Sequence, residues 1–356
     1  MTSPPGNLFQ QQEANRRRTT WLVIGFILFF AWLGFGGDYI FALYTADAEP
    51  GEYQHVFPWF GLVLSAIAIG IAWYTYRTGP EKILWATGAR EVIDPLSDRE
   101  RVLVNVVEEM AIAAGLPRPR IWIVPDDDPN AFATGHDPKD AQVAVTQGLL
   151  ALCSRDELQG VIGHELGHVK NLDVRLMTTL AALVGAVLLV RDGMGRMMRG
   201  GARVGSFGGG GGGSGGRGGG GGKKGGAGAI IAVLLVLWLI SWLIAPLVTQ
   251  LLALAVSRKR EYLADAMSAQ FTRNPLALAS ALEKIENAAA PTIAIKRGSA
   301  HLCIVDPLGR RLTSREGWLA DRFATHPPMS MRISRLKGMG YAQLKKEQGT
   351  PPLGAS

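Results

Sequence analysis

His164, Glu165 and His168, in the stretch GVIGHELGHVKNLDV, are residue types that hold a metal ion and work on a water beside it. On an α-helix, positions i and i+4 share a face, so the two imidazoles can bind one ion. Glu165 is then angled to accept a proton from water at that ion. This is the chemistry of zinc hydrolases: Zn2+ lowers the pKa of its water to about 7, and a carboxylate completes the activation. Such a site needs a third protein ligand and an open fourth position. No histidine follows at short spacing, because position 171 is Asn and position 174 is Val. A carboxylate elsewhere is the natural candidate. KREYLADAMSAQF offers Glu261 and Asp265, one helical turn apart. Glu261 suits the ion, and Asp265 suits the far nitrogen of a ligand imidazole, where a carboxylate fixes the tautomer. Taken singly, each also reads as a solvated helix carboxylate.

The elements that must position these groups are legible in outline. Ser154 and Glu157 form an S-x-x-E capping box that opens the helix carrying both histidines. Upstream, Asp98 to Gly115 repeats with helical period; Leu103, Val106, Val107, Met110 and Ala114 share one face, and Gly115 with Pro117 stops it. RIWIV (Arg120 to Val124) and Gln142 to Thr146 alternate as strands. NAFATG (Asn130 to Gly135) has small residues around Asn130, and Asn130, Ala131, Phe132 and Ala133 suit an edge that receives an extended peptide, although an ordinary turn fits the stretch too. His326 precedes Pro327 and Pro328, which hold its backbone extended. From there an imidazole can donate to the oxyanion of an attacked carbonyl. A structural role fits His326 almost as well. Arg332 suits a carboxylate nearby and Asp173 reads as structural. His136 reads as an exposed loop histidine, His301 as structural, and His55 as lying across the membrane.

The chain is not that of a soluble enzyme. Among 356 residues, Trp21 to Gly37, Phe57 to Tyr76 and Ala229 to Ser257 are uncharged apolar blocks near or above the ~20 residues that cross a bilayer. A further block, Leu176 to Val190, covers only about 22 Å. The first block reads as an uncleaved anchor rather than a signal peptide, because it is long and a second span follows at once. Arg16 to Arg18 precede the first block, Arg77 and Lys82 follow the second, and no Lys or Arg lies between. The positive-inside rule puts both flanks in the cytoplasm. The net charge of +7 is accounted for by this orientation, not by nucleic-acid binding. Cys153 and Cys303 are expected to stay reduced thiols.

The boundaries follow: a polar tail over 1–20, expected to be disordered; a membrane hairpin over 21–76; a first catalytic segment over 81–173; a second hairpin over 174–257; a second catalytic segment over 258–340; and a flexible end over 341–356. Within the second hairpin lies a glycine tract, 200–228, which reads as a solvated loop rather than an RNA-binding segment. His168 precedes that hairpin and Glu261 follows it. If both reach one ion, the hairpin makes two crossings or none, and two is the reading adopted. Cleavage within the bilayer is disfavoured, because polar SRDELQ and KNLD flank the histidines. A non-catalytic scaffold is disfavoured because every chemical group is present.

Taken together, HELGHVKNLD, EYLAD, NAFATG, AHLCIVDPL (Ala300 to Leu308) and THPPMSMRI (Thr325 to Ile333) resemble the HtpX-type membrane metalloproteases, relatives of the CAAX prenyl proteases. The resemblance runs from the first membrane segment to about Arg335, and the glycine tract departs from it. It implies a mainly α membrane protein with about four transmembrane helices and an α+β, gluzincin-like protease domain. It further implies one Zn2+ per chain on His164, His168 and Glu261, with Glu165 as base. The expected setting is the bacterial inner membrane, with the catalytic domain in the cytoplasm. The expected activity is ATP-independent cleavage of misfolded or damaged membrane proteins in envelope quality control and stress response.

Overall fold

The computed structural model of the chain describes residues 8–46, 49–185, 258–288, 302–304 and 327–348. The fourth apolar block, the end of the third, the glycine tract, His301, His326 and the last residues lie outside them. Two compact units emerge: residues 1–22, 75–182 and 251–356 form one, and residues 23–74 and 183–250 the other.

In the first unit a four-stranded mixed sheet is built from β1 (Arg90–Glu91), β2 (Arg120–Val124), β3 (Ala131–Thr134) and β4 (Gln142–Thr146). Its order is β1-β2-β4-β3, with β2 and β4 parallel and the outer pairs antiparallel. Both central strands are buried nearly throughout, so their apolar side chains alternate between two covered faces. Helix α3 (Asp98–Ala114) turns the expected face inward, with Leu103, Val106, Val107, Met110 and Ala114 buried. Its cap is Ser97, one residue before the expected start, whose side chain accepts from the Glu100 amide. Gly115 closes the helix in the left-handed conformation, φ 66.

After the short α4 (Gln147–Leu152), α5 (Arg155–Lys170) starts with the anticipated capping box: the Ser154 amide donates to Glu157 Oε2 at 2.8 Å. Glu157 is then gripped by α7 (Pro275–Asn287), where Ser280 Oγ donates to it at 2.6 Å and Lys284 Nζ at 2.7 Å. Leu158, Val161, Ile162 and Leu166 of α5 meet Leu278, Leu282 and Ile285 of α7 in one core, joined by Ile333 and Leu336 of α8 (Met329–Gln348). Each such side chain contributes about 1.5–3 kcal/mol when taken from water. The approach of α5 to α7 is set at Gly160, where an added Cβ would lie 2.8 Å from the Leu278 amide nitrogen and 2.9 Å from its Cα. Backbone cannot step aside as a side chain does. Gly160→Val is therefore expected to lower unfolding stability by about 1–3 kcal/mol, read as an earlier denaturant midpoint. An unchanged midpoint would show that the two helices slide freely.

The expectation that residues 1–20 are disordered fails from residue 8 onward. Helix α1 spans Leu8–Tyr44 without interruption. Its polar start is held because Asn15 and Thr19 are buried, and Gln12 Nε2 donates to the Lys170 carbonyl at 2.7 Å. Helix α2 spans Trp59–Ala86. Both are long and apolar enough to cross a membrane. Most of that apolar surface is bare: Trp21, Leu28, Trp32, Trp59 and Trp73 are all exposed.

In the second unit, Asp38 of α1 is buried. Its carboxylate accepts from the amides of Phe60 at 3.1 Å and Gly61 at 2.6 Å, the orphan donors at the start of α2. His55 Nε2 lies 2.8 Å from the same group. A buried carboxylate among apolar helices is thus fully engaged.

Candidate metal centre

The helix that carries the histidines is weakened by three glycines, at 160, 163 and 167. Tertiary packing overrides this. Opposite these glycines runs α6 (Arg258–Thr272), with Ser268 against Gly163 and Ala264 against Gly167; a Cβ on Gly167 would lie 3.2 Å from the Ala264 Cα. Ser268 Oγ also donates to the Gly160 carbonyl at 2.6 Å. The close pairing of α5 and α6 brings Glu261, in the first turn of α6, over the face bearing His164 and His168.

One ligand atom each from His164, His168 and Glu261 falls within 4.8 Å of the others. The two Nε2 atoms are 3.2 Å apart. Glu261 places Oε2 at 3.7 Å from His164 Nε2 and Oε1 at 3.5 Å from His168 Nε2. Both imidazoles are anchored from behind. Asp265 Oδ1 lies 2.9 Å from His164 Nδ1, and Asp173 Oδ2 lies 3.2 Å from His168 Nδ1. A carboxylate there accepts a hydrogen bond from Nδ1–H, which in the neutral ring leaves the Nε2 lone pair facing the other imidazole and Glu261. Two imidazole nitrogens and a carboxylate thus converge on one buried point, with the Arg332 guanidinium 3.4 Å from His164 Nε2 and 3.5 Å from Glu261 Oε2. The set is two nitrogens and one oxygen, which suits Zn2+ with a fourth position open. Glu165 lies alongside, buried, and its Oε1 has no hydrogen-bond partner among the described residues. The residues therefore fit the ion that the sequence motif calls for.

Burial and the facing charges shift the acid–base groups around this point. Burial, with Glu261 adding to it, pushes the Glu165 carboxyl up to about 7 against the opposing pull of His168 and Arg332. Burial holds His164 down at about 4, opposed by its Asp265 contact. Burial alone would also lower His168. Its bond to Asp173, with Glu261 beside it, outweighs that and holds it at about 9. Burial works against the Asp265 carboxylate too, but Arg332 and His164 bring it down to about 2. Arg332 is fully buried: its Nε and Nη2 donate to Asp265 at 3.0 and 2.7 Å, its Nη1 donates to the Ile304 carbonyl at 2.9 Å, and Glu261 Oε2 is 3.5 Å away. Sequence reasoning placed Arg332 near a carboxylate without identifying which, and treated Asp173 as structural without its bond to His168.

A small cavity beside the histidines is lined by Ala133, Glu165, His168, Val174, Met177, Arg260 and Leu302–Ile304. NAFATG does form the outer strand β3. Asn130 is buried and its Oδ1 accepts from the Ala131 amide, while Phe132 is buried in the core. Part of that strand's free edge is already taken: Phe132 bridges Cys303, and the Ile304 amide donates to the Ala131 carbonyl at 2.9 Å. Ala133 is the member of the group that faces the cavity. His136 is not the exposed loop histidine expected. It is 9% exposed, stacked on Tyr76 with ring centres 4.2 Å apart, and its Nε2 meets the Tyr76 carbonyl. A loop beside a long helix gives no sign in sequence that the helix will cover it.

A family model described as Peptidase family M48 matches residues 97–340. The chain is 40% identical over 336 residues to a Protease HtpX homolog of Thermoanaerobacter pseudethanolicus, covering 93% of this chain and 98% of that one. It is 37% identical to a Protease HtpX homolog of Streptococcus gordonii, covering 93% of this chain and all (100%) of the relative. A Protease HtpX homolog of Dictyoglomus thermophilum is 38% identical, over 94% and 96% of the two chains. Among solved structures, the crystal structure of S. mikatae Ste24p matches with a TM-score of 0.40 and 16% identity, over 93% of this chain and 66% of that one.

Proposed function

The chain belongs to peptidase family M48, and from that premise we propose a membrane-anchored zinc endopeptidase whose centre is His164, His168 and Glu261. Its metalloendopeptidase class follows from the family and from the curated protease relatives. The observation that carries the finer reading is the convergence of those three donor atoms within 4.8 Å beside the buried carboxylate of Glu165. One zinc ion per chain would supply the Lewis acid that acidifies water and polarises a peptide carbonyl.

The chain's own residues account for the remaining steps. Glu165, whose carboxyl burial raises, takes the proton of the attacking water and delivers it to the leaving amine nitrogen. Asp265 and Asp173 hold the two imidazoles by their Nδ1 atoms. Substrate extends along β3 on the side of Ala133, within the stretch Asn130 to Ala133, because the Ala131–Phe132 side is covered by Cys303 and Ile304. His326 is assigned to the oxyanion from the sequence pattern before its two prolines.

The substrates are misfolded or damaged membrane proteins, cut on the cytoplasmic side of a bacterial inner membrane. Two apolar helices and the placement of basic residues support this setting. The second hairpin adds two more crossings, for about four in all, around a gluzincin-like domain. Purified full-length protein should carry about one zinc per chain and digest casein. It should lose that activity to 1,10-phenanthroline and regain it on adding zinc. Undiminished digestion by metal-stripped protein would end this reading.

A further inference from the structure

The polar turns that precede the first apolar block are joined to the metal centre. Helix α5 ends at Lys170, and its last carbonyls need donors from outside the helix. Two come from α1. Gln12 Nε2 donates to the Lys170 carbonyl at 2.7 Å, and Asn15 Nδ2, on the same face of α1, donates to the Asn171 carbonyl at 3.0 Å. Asn15 does one thing that Gln12 does not: the same Nδ2 donates to Asp173 Oδ1 at 2.7 Å. Both partners of that amide nitrogen are acceptors, so the NH2 end must face them and the orientation of the amide is fixed. Asn15 and Asp173 are each 2% exposed.

Asp173 is thereby held by both oxygens. Oδ1 receives Asn15, while Oδ2 receives Asn171 Nδ2 at 3.0 Å and faces His168 Nδ1 at 3.2 Å. Among the described residues, Arg260 Nη1 stands off at 3.7 Å from Oδ1. With the Asn15 donor gone, Oδ1 has Arg260 to turn to, and turning carries Oδ2 away from His168.

We propose that Asn15 is a positioning residue for the metal centre. By fixing the Asp173 carboxylate it fixes the ring of His168, so the segment before the first apolar block is a built part of the active site. This inference rests on the reading of His168 as a zinc ligand. Thr19 supports it locally, its Oγ1 donating to the Asn15 carbonyl at 2.9 Å.

The test uses purified full-length protein and measures zinc affinity by chelator competition. The visible spectrum of the cobalt-substituted protein and separate kcat and KM values complete it. Asn15→Ala should weaken zinc binding by about 10–100-fold, the usual effect of losing support behind a ligand. It should alter the cobalt bands and lower kcat with KM unchanged. Gln12→Ala removes a cap without touching Asp173, so it should lower thermal stability and leave zinc affinity and the cobalt bands as in wild type. In an Asp173→Ala background, Asn15→Ala should add no further loss. If Asn15→Ala does not fold, Asn15→Ser, whose hydroxyl is too short to reach Asp173, carries the same comparison. Wild-type zinc affinity and cobalt bands in the Asn15 variant, or a full additional loss in the Asp173→Ala background, overturn the inference and leave the zinc protease reading intact. A wild-type chain that binds no zinc overturns both.

Discussion

Glu165→Gln is expected to keep zinc and lose proteolysis, with kcat falling by about 10²–10⁴-fold, the usual share of a general base. Glutamine has the shape of glutamate but cannot take a proton from water. The side chain is buried in the α5 face, so the amide fits the same space. Burial raises its carboxyl above the usual carboxylate range, which favours holding a proton between taking it and returning it. KM should change little if, as proposed, the group acts on water and on the leaving nitrogen rather than on binding substrate. Glu261→Ala gives the contrast. It removes an oxygen from the donor set, so zinc content should fall together with activity. The two variants separate the proton from the ion: Glu165→Gln dead with zinc, Glu261→Ala dead without it. Turnover retained by the Glu165 variant would remove that residue from the chemistry. An unchanged zinc content after Glu261→Ala would remove Glu261 from the ion.

Much of the architecture was legible because its signals are local. The face of α3, the strands at Arg120–Val124 and Gln142–Thr146, and the capping box at Ser154 depend on neighbours within a few residues. The spacing of His164 and His168 is of the same kind. What was not legible depends on partners far along the chain. The start of α1 looks polar and loose because its amides answer carbonyls and a carboxylate some 156–158 residues away. Asp173 looks structural until His168 and Asn15 are found on its two oxygens. His136 looks exposed until Tyr76 covers it. The identity of Glu261 lay between these cases. Its type and turn of helix were readable, but only the glycine face of α5 brings α6 close enough to use it, and that face reads in sequence merely as a helix of poor propensity.

Arg332→Met should cost about 3–5 kcal/mol of folding stability, the effect of stripping one partner from a buried ion pair. Arg332 is fully buried and gives three directed bonds, two to Asp265 and one to the Ile304 carbonyl. Methionine nearly fills its length but supplies no donor and no charge. Asp265, also buried and held near 2 mainly by that guanidinium, would then face His164 without its cation. Lysine is no substitute, because one ammonium cannot make the paired contact of Nε and Nη2. Against a total stability of about 5–15 kcal/mol, such a loss leaves a large unfolded fraction on warming. Folding and metal binding can be told apart by changing both partners. Replacing Arg332 by Met together with Asp265 by Leu removes the stranded charge, and exchanging a whole buried pair for apolar groups is often close to neutral. The double variant should therefore recover much of the denaturant midpoint. It should still bind zinc weakly, because His164 Nδ1 has lost the carboxylate that sets its tautomer. A single Arg332→Met variant that unfolds at the wild-type midpoint would mean that the guanidinium is not what keeps Asp265 charged beside His164.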